Sequence, residues 1–584
     1  MLRSSRTVVS LLGSLLMSTA ATTTAGTIVL SSALVGCQDE SQPEYWTGKL
    51  NDTAWKARAV KRLEQFFEDA VTKNGNDIKA QGVQDLINKT VEPLTKTYVS
   101  DYDTLDSKTR VSLIKLLASY RDKRTEPALK KAFEEFAKRP ATAKDESDVK
   151  WAAKATGDMK LESLAVPFVE AFTKLRASTM LGGVTYKDFS QSMLDMPSKA
   201  WVGPLIARLD AEIVPPGKDK SAIDPFRDQQ FWQATAAQLL GIIGDPQAVE
   251  PLMKVMLDPN KADIQPTALL ALVKLGKPTV DAASKLIAGK DDKLVGFAMR
   301  RIKEITGKDA QGTPYVATAA LVLGTTGRAD ATAPLVAALG VEKDNATKAV
   351  IARELTKVPA TAESKAAFKT AFESLSLDAE IPPGGGALEA LTEASGQFYD
   401  PSMVEWLLDR AAKTKGSAED LKMFQARVTQ TALKLAKPDQ LATVKAAVDR
   451  YGSEDIEKKL YKLVEAQLKA CGDRAACYVA NIQKGENQEQ ANQFAGVKAG
   501  YMVAILGSDA ERDELVKAID GISNAALRFV AAQAIDHLTP KGDKGVSEKL
   551  NAIITKNAKS PDRDKAAGDA PLKQVMYRID ARGN

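Results

Sequence analysis

Histidine is nearly absent from this chain of 584 residues, which contains a single one, His537. A zinc-protease helix with two histidine ligands is therefore excluded, and any histidine-based catalytic triad would depend on this residue alone. His537 lies near the end of a predicted helix, where a histidine often caps the last carbonyl groups. We therefore predict no catalytic residue, no metal site and no cofactor, and we expect that the chain is not an enzyme.

Aromatic residues are scarce as well, at 6% of the chain, and charges of one sign do not form blocks. The 80 basic and 75 acidic residues alternate along the sequence and leave a formal net charge of +5. Nucleic-acid binding has little electrostatic support without a basic block, so we expect no nucleic-acid partner. The abundant alanine, leucine, valine and lysine favour packed helices over sheets.

Cysteine occurs only three times, and the first, Cys37, separates an apolar segment from the polar stretch QDESQPEY. The chain begins with the basic stretch MLRSSR, and the apolar segment that follows ends in small residues, as in a secretion signal. The tetrapeptide LVGC at residues 34–37 resembles the lipobox of bacterial lipoproteins. That resemblance implies that residues 1–36 are a signal peptide, that Cys37 is lipidated, and that residues 37–44 form a polar tether.

Two other roles remain open for this segment. The apolar stretch of about 30 residues could instead stay in place as a transmembrane anchor, and Cys37 could be a buried thiol. If the lipobox resemblance holds, the chain is exported and anchored by lipid in the bacterial cell envelope. By resemblance to lipoprotein sorting rules, Gln38 after the cysteine favours the periplasmic face of the outer membrane.

The other two cysteines, Cys471 and Cys477, lie in the stretch LKACGDRAACYVANI. We predict that Cys471 closes one helix, that Gly472 ends it, and that Cys477 enters the next helix. This spacing allows a disulfide, which an oxidising compartment would favour and which is worth about 2 kcal/mol on the chain-entropy model. Two free thiols, a redox pair or a metal site are the alternatives, although the spacing is not C-x-x-C and two thiols rarely hold a metal.

A periodic pattern is clearest in residues 231–260, FWQATAAQLLGIIGDPQAVEPLMKVMLDPN. Its first half places apolar residues at i, i+3, i+4 and i+7, as on one helix face, and Gly244 should end that helix. Asp245-Pro246 suits a turn or a helix start, and the second half repeats the apolar spacing from Val249 onwards. The stretch predicts a helix hairpin with two apolar faces.

The same pattern returns in VATAALVLGTTGRADATAPLVAALG, where Gly324 and Gly327 match Gly241 and Gly244. Weaker copies occur on both sides, and the pattern resembles the bacterial type of the HEAT repeat family, in which GDPxAVxPL joins paired helices. The resemblance covers most of residues 45–560 and implies an α-solenoid with second helices lining a concave face. A single hairpin cannot bury two apolar faces, so stacked neighbours are also expected on physical grounds. We therefore predict an all-α fold, an α-solenoid of HEAT-like helix-hairpin repeats.

Two Pro-Pro-Gly interruptions, at residues 213–226 and 381–391, divide the predicted solenoid into sections. Divergent repeats are expected in residues 45–225, and the central HEAT repeats in residues 226–380. The C-terminal section, residues 381–584, would contain further repeats, the cysteine pair and a capping tail.

The most favoured function is a non-enzymatic scaffold, anchored to the membrane, whose concave face binds an envelope protein or an extended peptide. The six tryptophans either pack between repeats or act as binding anchors, and the sequence leaves both roles open. A structural envelope component that makes contacts through its convex face or its ends is one alternative. An enzyme with an unrecognised site in a deep pocket is another.

Overall fold

The computed structural model describes residues 39–138, 147–175, 185–309, 312–484, 490–558 and 569–583. Within these ranges the structure is helical, and the one extended pairing is an isolated bridge between Glu380 and Gly386. None of the helices in the described ranges has both the length and the apolar character needed to cross a bilayer. The predicted all-α fold is confirmed, whereas Cys37 and the apolar segment before it lie outside the described residues.

Most helices alternate between two rows. The first row consists of α2 (Lys56–Lys73), α4 (Ser107–Tyr120), α6 (Ser147–Met159), α8 (Thr185–Asp195), α10 (Ile223–Ile243), α12 (Gln265–Leu275), α15 (Pro314–Thr326), α17 (Asn345–Leu355), α19 (Ala387–Ser395), α21 (Ala418–Leu435), α25 (Gln490–Leu506), α27 (Ala525–His537) and α29 (Ala570–Arg582). The second row consists of α3 (Gln81–Ser100), α5 (Glu126–Lys138), α7 (Ala165–Phe172), α9 (Val202–Asp210), α11 (Val249–Leu257), α16 (Thr332–Val341), α18 (Ala362–Ser374), α20 (Met403–Lys413), α22 (Leu441–Tyr451), α24 (Ala475–Lys484), α26 (Asp509–Ala518) and α28 (Lys544–Ala558). Four further helices are α1 (Pro43–Lys49), α13 (Lys277–Ile287), α14 (Asp292–Thr306) and α23 (Glu457–Cys471).

The predicted helix ends of the central repeat are confirmed. Helix α10 ends at Gly244, which has a φ of 75° in the left-handed region that glycine adopts without a Cβ clash. The Asp245 side chain then accepts a hydrogen bond from the backbone N–H of Gln247 and starts the short turn that leads into α11. The equivalent helix α15 ends in the same way at Gly327, with a φ of 61°.

Successive first-row helices approach each other closely at several glycines, among them Gly241 and Gly324. A Cβ at Gly241 would lie 2.7 Å from the Cα of Ala271 on α12. A Cβ at Gly324 would lie 2.7 Å from the backbone oxygen of Glu354 on α17. The glycines that the sequence aligns between the two repeats therefore set the spacing between neighbouring helices of the first row.

The first row closes on itself in the C-terminal part of the chain. From α12 onwards each first-row helix packs on the next, and the last one, α29, packs back on α12. A hydrogen bond across this closure, from Nε of Arg582 to the backbone oxygen of Gly327, spans 3.0 Å. We call helices α1–α11 the arm and helices α12–α29 the ring.

Burial shows which row faces the interior of the ring. First-row helices such as α15, α17 and α27 bury side chains on nearly all sides, whereas second-row helices keep one exposed face. Helices that are apolar all round are stable only when they are surrounded by other elements. The expectation from HEAT repeats that second helices line the inner face is therefore wrong for the ring, where first-row helices line it.

Candidate binding groove and ring pocket

The ring contains a pocket of about 310 Å³ at the C-terminal ends of α17, α27 and α29. Its lining includes the single histidine, His537, together with Tyr399, Asp536, Arg578 and Arg582. The ring centroids of Tyr399 and His537 are 4.7 Å apart. The structure thus brings together five side chains that the sequence separates by up to two hundred residues, and of which the sequence analysis had singled out only His537.

The two arginines of this pocket hold the closure together. Asp536 lies between them, with its carboxylate oxygens 3.0 Å from Nη1 of Arg578 and 3.0 Å from Nη2 of Arg582. Arg578 also donates to the backbone oxygen of Lys357, and Arg582 donates to the backbone oxygens of Asp536 and Thr539. These carbonyls belong to the ends of α17 and α27, where a cation interacts favourably with the helix dipole.

Burial shifts the pKa values of Tyr399 and His537, the two aromatic side chains beside the arginines. Burial raises the pKa of Tyr399 well above its usual value, and the nearby Asp536 carboxylate acts in the same direction. Burial also lowers the pKa of His537, an effect that Arg582 strengthens and Asp536 opposes. Among the described residues that line the pocket, Asp536 supplies the carboxylate, and two guanidinium groups neutralise it. The geometry therefore explains ring closure better than it explains acid–base catalysis.

The arm contains a second site, on the exposed side of α2, α4 and α6, which are the first three helices of the first row. It is a cavity of about 320 Å³. We call it the arm groove, and it is lined by Phe67, Val71, Asn76, Ile78, Ala118, Ser119, Arg121, Trp151, Lys154 and Asp158. Half of these residues are apolar, and a cavity that combines an apolar wall with charged groups at its edge is typical of a surface that binds a side chain of a partner.

Trp151 differs from Trp232 and Trp406, two other tryptophans that are partly buried. The indole N–H groups of Trp232 and Trp406 donate to Leu175 and Glu373, at 3.1 and 3.0 Å. Within the described ranges, the indole N–H of Trp151 has no hydrogen-bond partner in the protein. It is therefore available to a partner, while Trp232 and Trp406 are already used in packing the solenoid.

The edge of the arm groove is charged. Arg121 ends α4 with a φ of 51°, and its side chain is 61% exposed. Its Nη2 lies 3.7 Å from the Asp158 carboxylate, and the Nζ of Lys154 lies 3.5 Å from the same group. Two cations therefore share one carboxylate, and this edge favours a partner that brings a further negative charge.

Two other cavities are larger but less suited to a partner. A cavity of about 430 Å³ includes Trp232, whose indole N–H is already bonded within the protein. A cavity of about 670 Å³ lies at the N-terminal ends of α15 and α17, and its lining includes Tyr315 and Val341 but no tryptophan. Neither combines an unbonded indole with exposed cations, so the arm groove is the stronger candidate.

The cysteine pair lies where the sequence analysis placed it relative to the helices. Helix α23 ends at Cys471, Gly472 follows with a φ of 57°, and Cys477 lies in α24. The structure joins the two sulfur atoms in a disulfide, with the Cα atoms 5.5 Å apart. Whether the protein meets an oxidising compartment depends on Cys37 and its signal, so the oxidised pair stays a prediction.

Residues 232–258 match the family model described as PBS lyase HEAT-like repeat, which is the stretch from α10 to α11. This unit is similar to a HEAT repeat. Among solved structures, the chain is similar to a crystal structure of importin beta in an ammonium sulfate condition, with 12% identity and a TM-score of 0.28. The similarity covers 93% of this chain and 73% of that chain. None of the curated proteins matches the sequence, so the solenoid assignment rests on the paired helices and the matched repeat.

Proposed function

We propose that this chain is a non-enzymatic scaffold that binds another protein of the bacterial cell envelope through the arm groove. The observation that carries the proposal is the unbonded indole of Trp151 in an apolar groove edged by Arg121 and Lys154. The ring is a less suitable binding site than the arm groove. Its inner row of helices is buried, and the charged side chains that line its pocket are already paired with each other. The partner segment would insert an apolar or aromatic side chain and place an acidic residue beside Arg121.

In this proposal the scaffold is held at the membrane by a lipid on Cys37, most simply at the periplasmic face of the outer membrane. The support is the LVGC sequence at residues 34–37 and the polar stretch that follows it. A Cys37→Ala variant should leave the membrane fraction when cells are fractionated. If that variant stays in the membrane, the apolar segment itself is the anchor and the lipoprotein part of the proposal fails.

The binding proposal is tested by photo-crosslinking in native membranes, followed by mass spectrometry of the products. A photoreactive amino acid in place of Ser119, within the groove, should capture a specific partner. Trp151→Ala and Arg121→Glu should each abolish that product, because they remove the apolar anchor site and reverse the charge at its edge. If the crosslinked product still forms in both variants, the arm groove is not the binding site.

Lys160 offers a matched control for the charge reversal. It is an exposed cation that follows α6 with a φ of 53°, so it shares the left-handed backbone of Arg121, but it lies outside the groove. Lys160→Glu changes the net charge by the same amount and should leave the crosslinked product intact. Loss of the product in this control as well would assign the effect of Arg121→Glu to net charge.

A further inference from the structure

The first described residues of the chain are folded against the arm. The indole N–H of Trp46 donates to the backbone oxygen of Glu40 at 2.8 Å, and the backbone N–H of Ser41 donates to the Asp39 carboxylate at 2.9 Å. Asp39 is only two residues after Cys37, and two extended residues span at most about 7 Å. If Cys37 carries the lipid, this end of the arm therefore lies directly at the membrane surface.

Cations and aromatic rings cluster at the same end of the arm. The Nζ of Lys49 lies 5.4 Å from the ring centroids of both Tyr45 and Trp55. The guanidinium carbon of Arg58 lies 5.0 Å from the ring centroid of Trp55, and that of Arg62 lies 5.3 Å from the ring centroid of Phe66. We call the surface formed by Tyr45, Lys49, Trp55, Arg58 and Arg62 the cap surface.

The positive charge of the cap surface is not neutralised within the part of the chain that the structure describes. There, Lys49, Arg58 and Arg62 have no carboxylate within ion-pair distance. Two acidic residues of the same two helices are paired with other elements: Glu44 with Lys89 at 2.8 Å, and Glu64 with Lys115 at 2.9 Å. The cations of the cap surface are therefore available to an anionic partner. Next to them, the indole N–H of Trp55 makes no hydrogen bond within the described residues.

We propose that the cap surface lies on anionic phospholipid headgroups and orients the arm relative to the membrane. Tryptophan and tyrosine favour the headgroup level of a bilayer, where an apolar ring and a polar atom are both accommodated, and lysine and arginine are attracted to anionic lipid. The proposal rests on the lipid anchor of the proposed function, because the anchor brings this surface to the bilayer. A protein partner on the same surface is the competing occupant, and the test separates the two.

The test uses the full lipidated chain reconstituted into vesicles of phosphatidylethanolamine and phosphatidylglycerol that contain lipids spin-labelled near the headgroup. Trp46 and Trp201 are buried, and the partly buried Trp151, Trp232 and Trp406 lie outside the cap surface. Quenching of tryptophan fluorescence at the headgroup level should therefore come mainly from Trp55. We expect Trp55→Phe to remove most of the quenching. Lys49→Gln with Arg58→Gln should reduce it at least twofold, as should replacement of phosphatidylglycerol by phosphatidylcholine.

Two controls for the quenching experiment test the effect of charge loss elsewhere and the folding of the variants. The double substitution Lys415→Gln with Lys422→Gln removes two exposed cations at the α20–α21 connection in the ring, and it should leave the quenching unchanged. A circular dichroism spectrum identical to that of the original chain shows that the cap variants are folded. Quenching that is absent in the original chain, or unchanged in Trp55→Phe, would overturn the proposal and assign the cap surface to a protein partner.

Different results would refute the lipid-anchor proposal and the cap-surface proposal. If Cys37→Ala stays in the membrane fraction, the lipid anchor is refuted whatever the fluorescence shows. If that variant leaves the membrane but the lipidated chain shows no quenching at Trp55, the anchor stands and the cap surface does not contact lipid.

Discussion

Gly244 and Gly327 occupy equivalent positions in two copies of the same helix pair, yet their surroundings differ. Both have a positive φ, of 75° and 61°, and both end a first-row helix. A Cβ at Gly244 would meet nothing within 4 Å, whereas a Cβ at Gly327 would clash with the guanidinium group of Arg578. The sequence pattern requires glycine at both positions for the backbone, and the ring closure adds a second requirement at Gly327 alone.

We expect Gly327→Ala to destabilise the protein more than Gly244→Ala does. Gly244→Ala should cost about 1 kcal/mol, because only the left-handed backbone is strained. Gly327→Ala should cost about 3 kcal/mol, because the methyl group also displaces the Arg578 side chain. Urea unfolding followed by circular dichroism measures both, and equal losses would contradict the close contact between Gly327 and Arg578.

The single histidine gives a simple expectation for pH dependence. Burial against Tyr399 lowers the pKa of His537 below its usual 6.5, and Arg582 adds to this effect. Just below pH 6.5 the unfolded chain therefore binds more protons than the folded chain, so stability is full above pH 6.5 and is lost as pH falls through the folded pKa. The carboxyl groups titrate mainly at lower pH, which leaves this window to His537.

We expect the melting temperature to fall between pH 7 and pH 5.5, and to fall less in the His537→Gln variant. Differential scanning calorimetry at a series of pH values measures this change, and NMR of histidine-labelled protein reports the pKa of His537 directly. A pKa at or above 6.5 would contradict the burial of the imidazole in the ring pocket.

At the scale of the element, helix starts and ends follow from local sequence. The spacing of apolar residues and the glycine that ends the first helix predicted the α10–α11 pair correctly, because both signals act within one or two helical turns. The role of Trp151 could not be predicted in this way. Whether a tryptophan faces a neighbouring helix or the solvent depends on the rotation between successive helix pairs. The spacing of apolar residues within one helix does not reveal that rotation.

The disulfide gives a prediction at this scale. If the chain is exported, as proposed above, Cys471 and Cys477 should both resist alkylation in protein purified without reductant, as peptide mass spectrometry can show. Changing both to serine should lower the stability of the α23–α24 pair by about 2 kcal/mol, seen as faster hydrogen exchange over residues 457–484. The reduced original chain is the control, and it should exchange like the serine variant. Full alkylation without reductant would favour two free thiols.

At the scale of the whole molecule, the ring is the feature that sequence analysis missed. The hydrogen bond from Arg582 to Gly327 joins residues 255 positions apart. In sequence, Arg578 and Arg582 look like ordinary basic residues at the end of a helix, where they suit the helix dipole. The sequence predicts a capping tail at the end of the C-terminal section, and the last described helix, α29, packs between α27 and α12.

Ring closure predicts that removing α29 affects distant parts of the chain. In a chain that ends at residue 568, α12 and α27 should both exchange backbone hydrogens faster, because each loses a packing neighbour. Helices α2 and α4 of the arm should be unchanged, since they have no contact with α29. Hydrogen-exchange mass spectrometry measures all four helices, and an effect confined to α27 and α28 would indicate an open solenoid.

The position of α29 also sets the order in which the protein can assemble during synthesis. The arm depends on contacts between neighbours in sequence, so its helices can pack as soon as they emerge. The ring cannot close before α29 has been synthesised, and until then one face of α12 is not covered by α29. A chain that lacks α29 is therefore expected to be most exposed to proteolysis at α12, whose packing partner is missing.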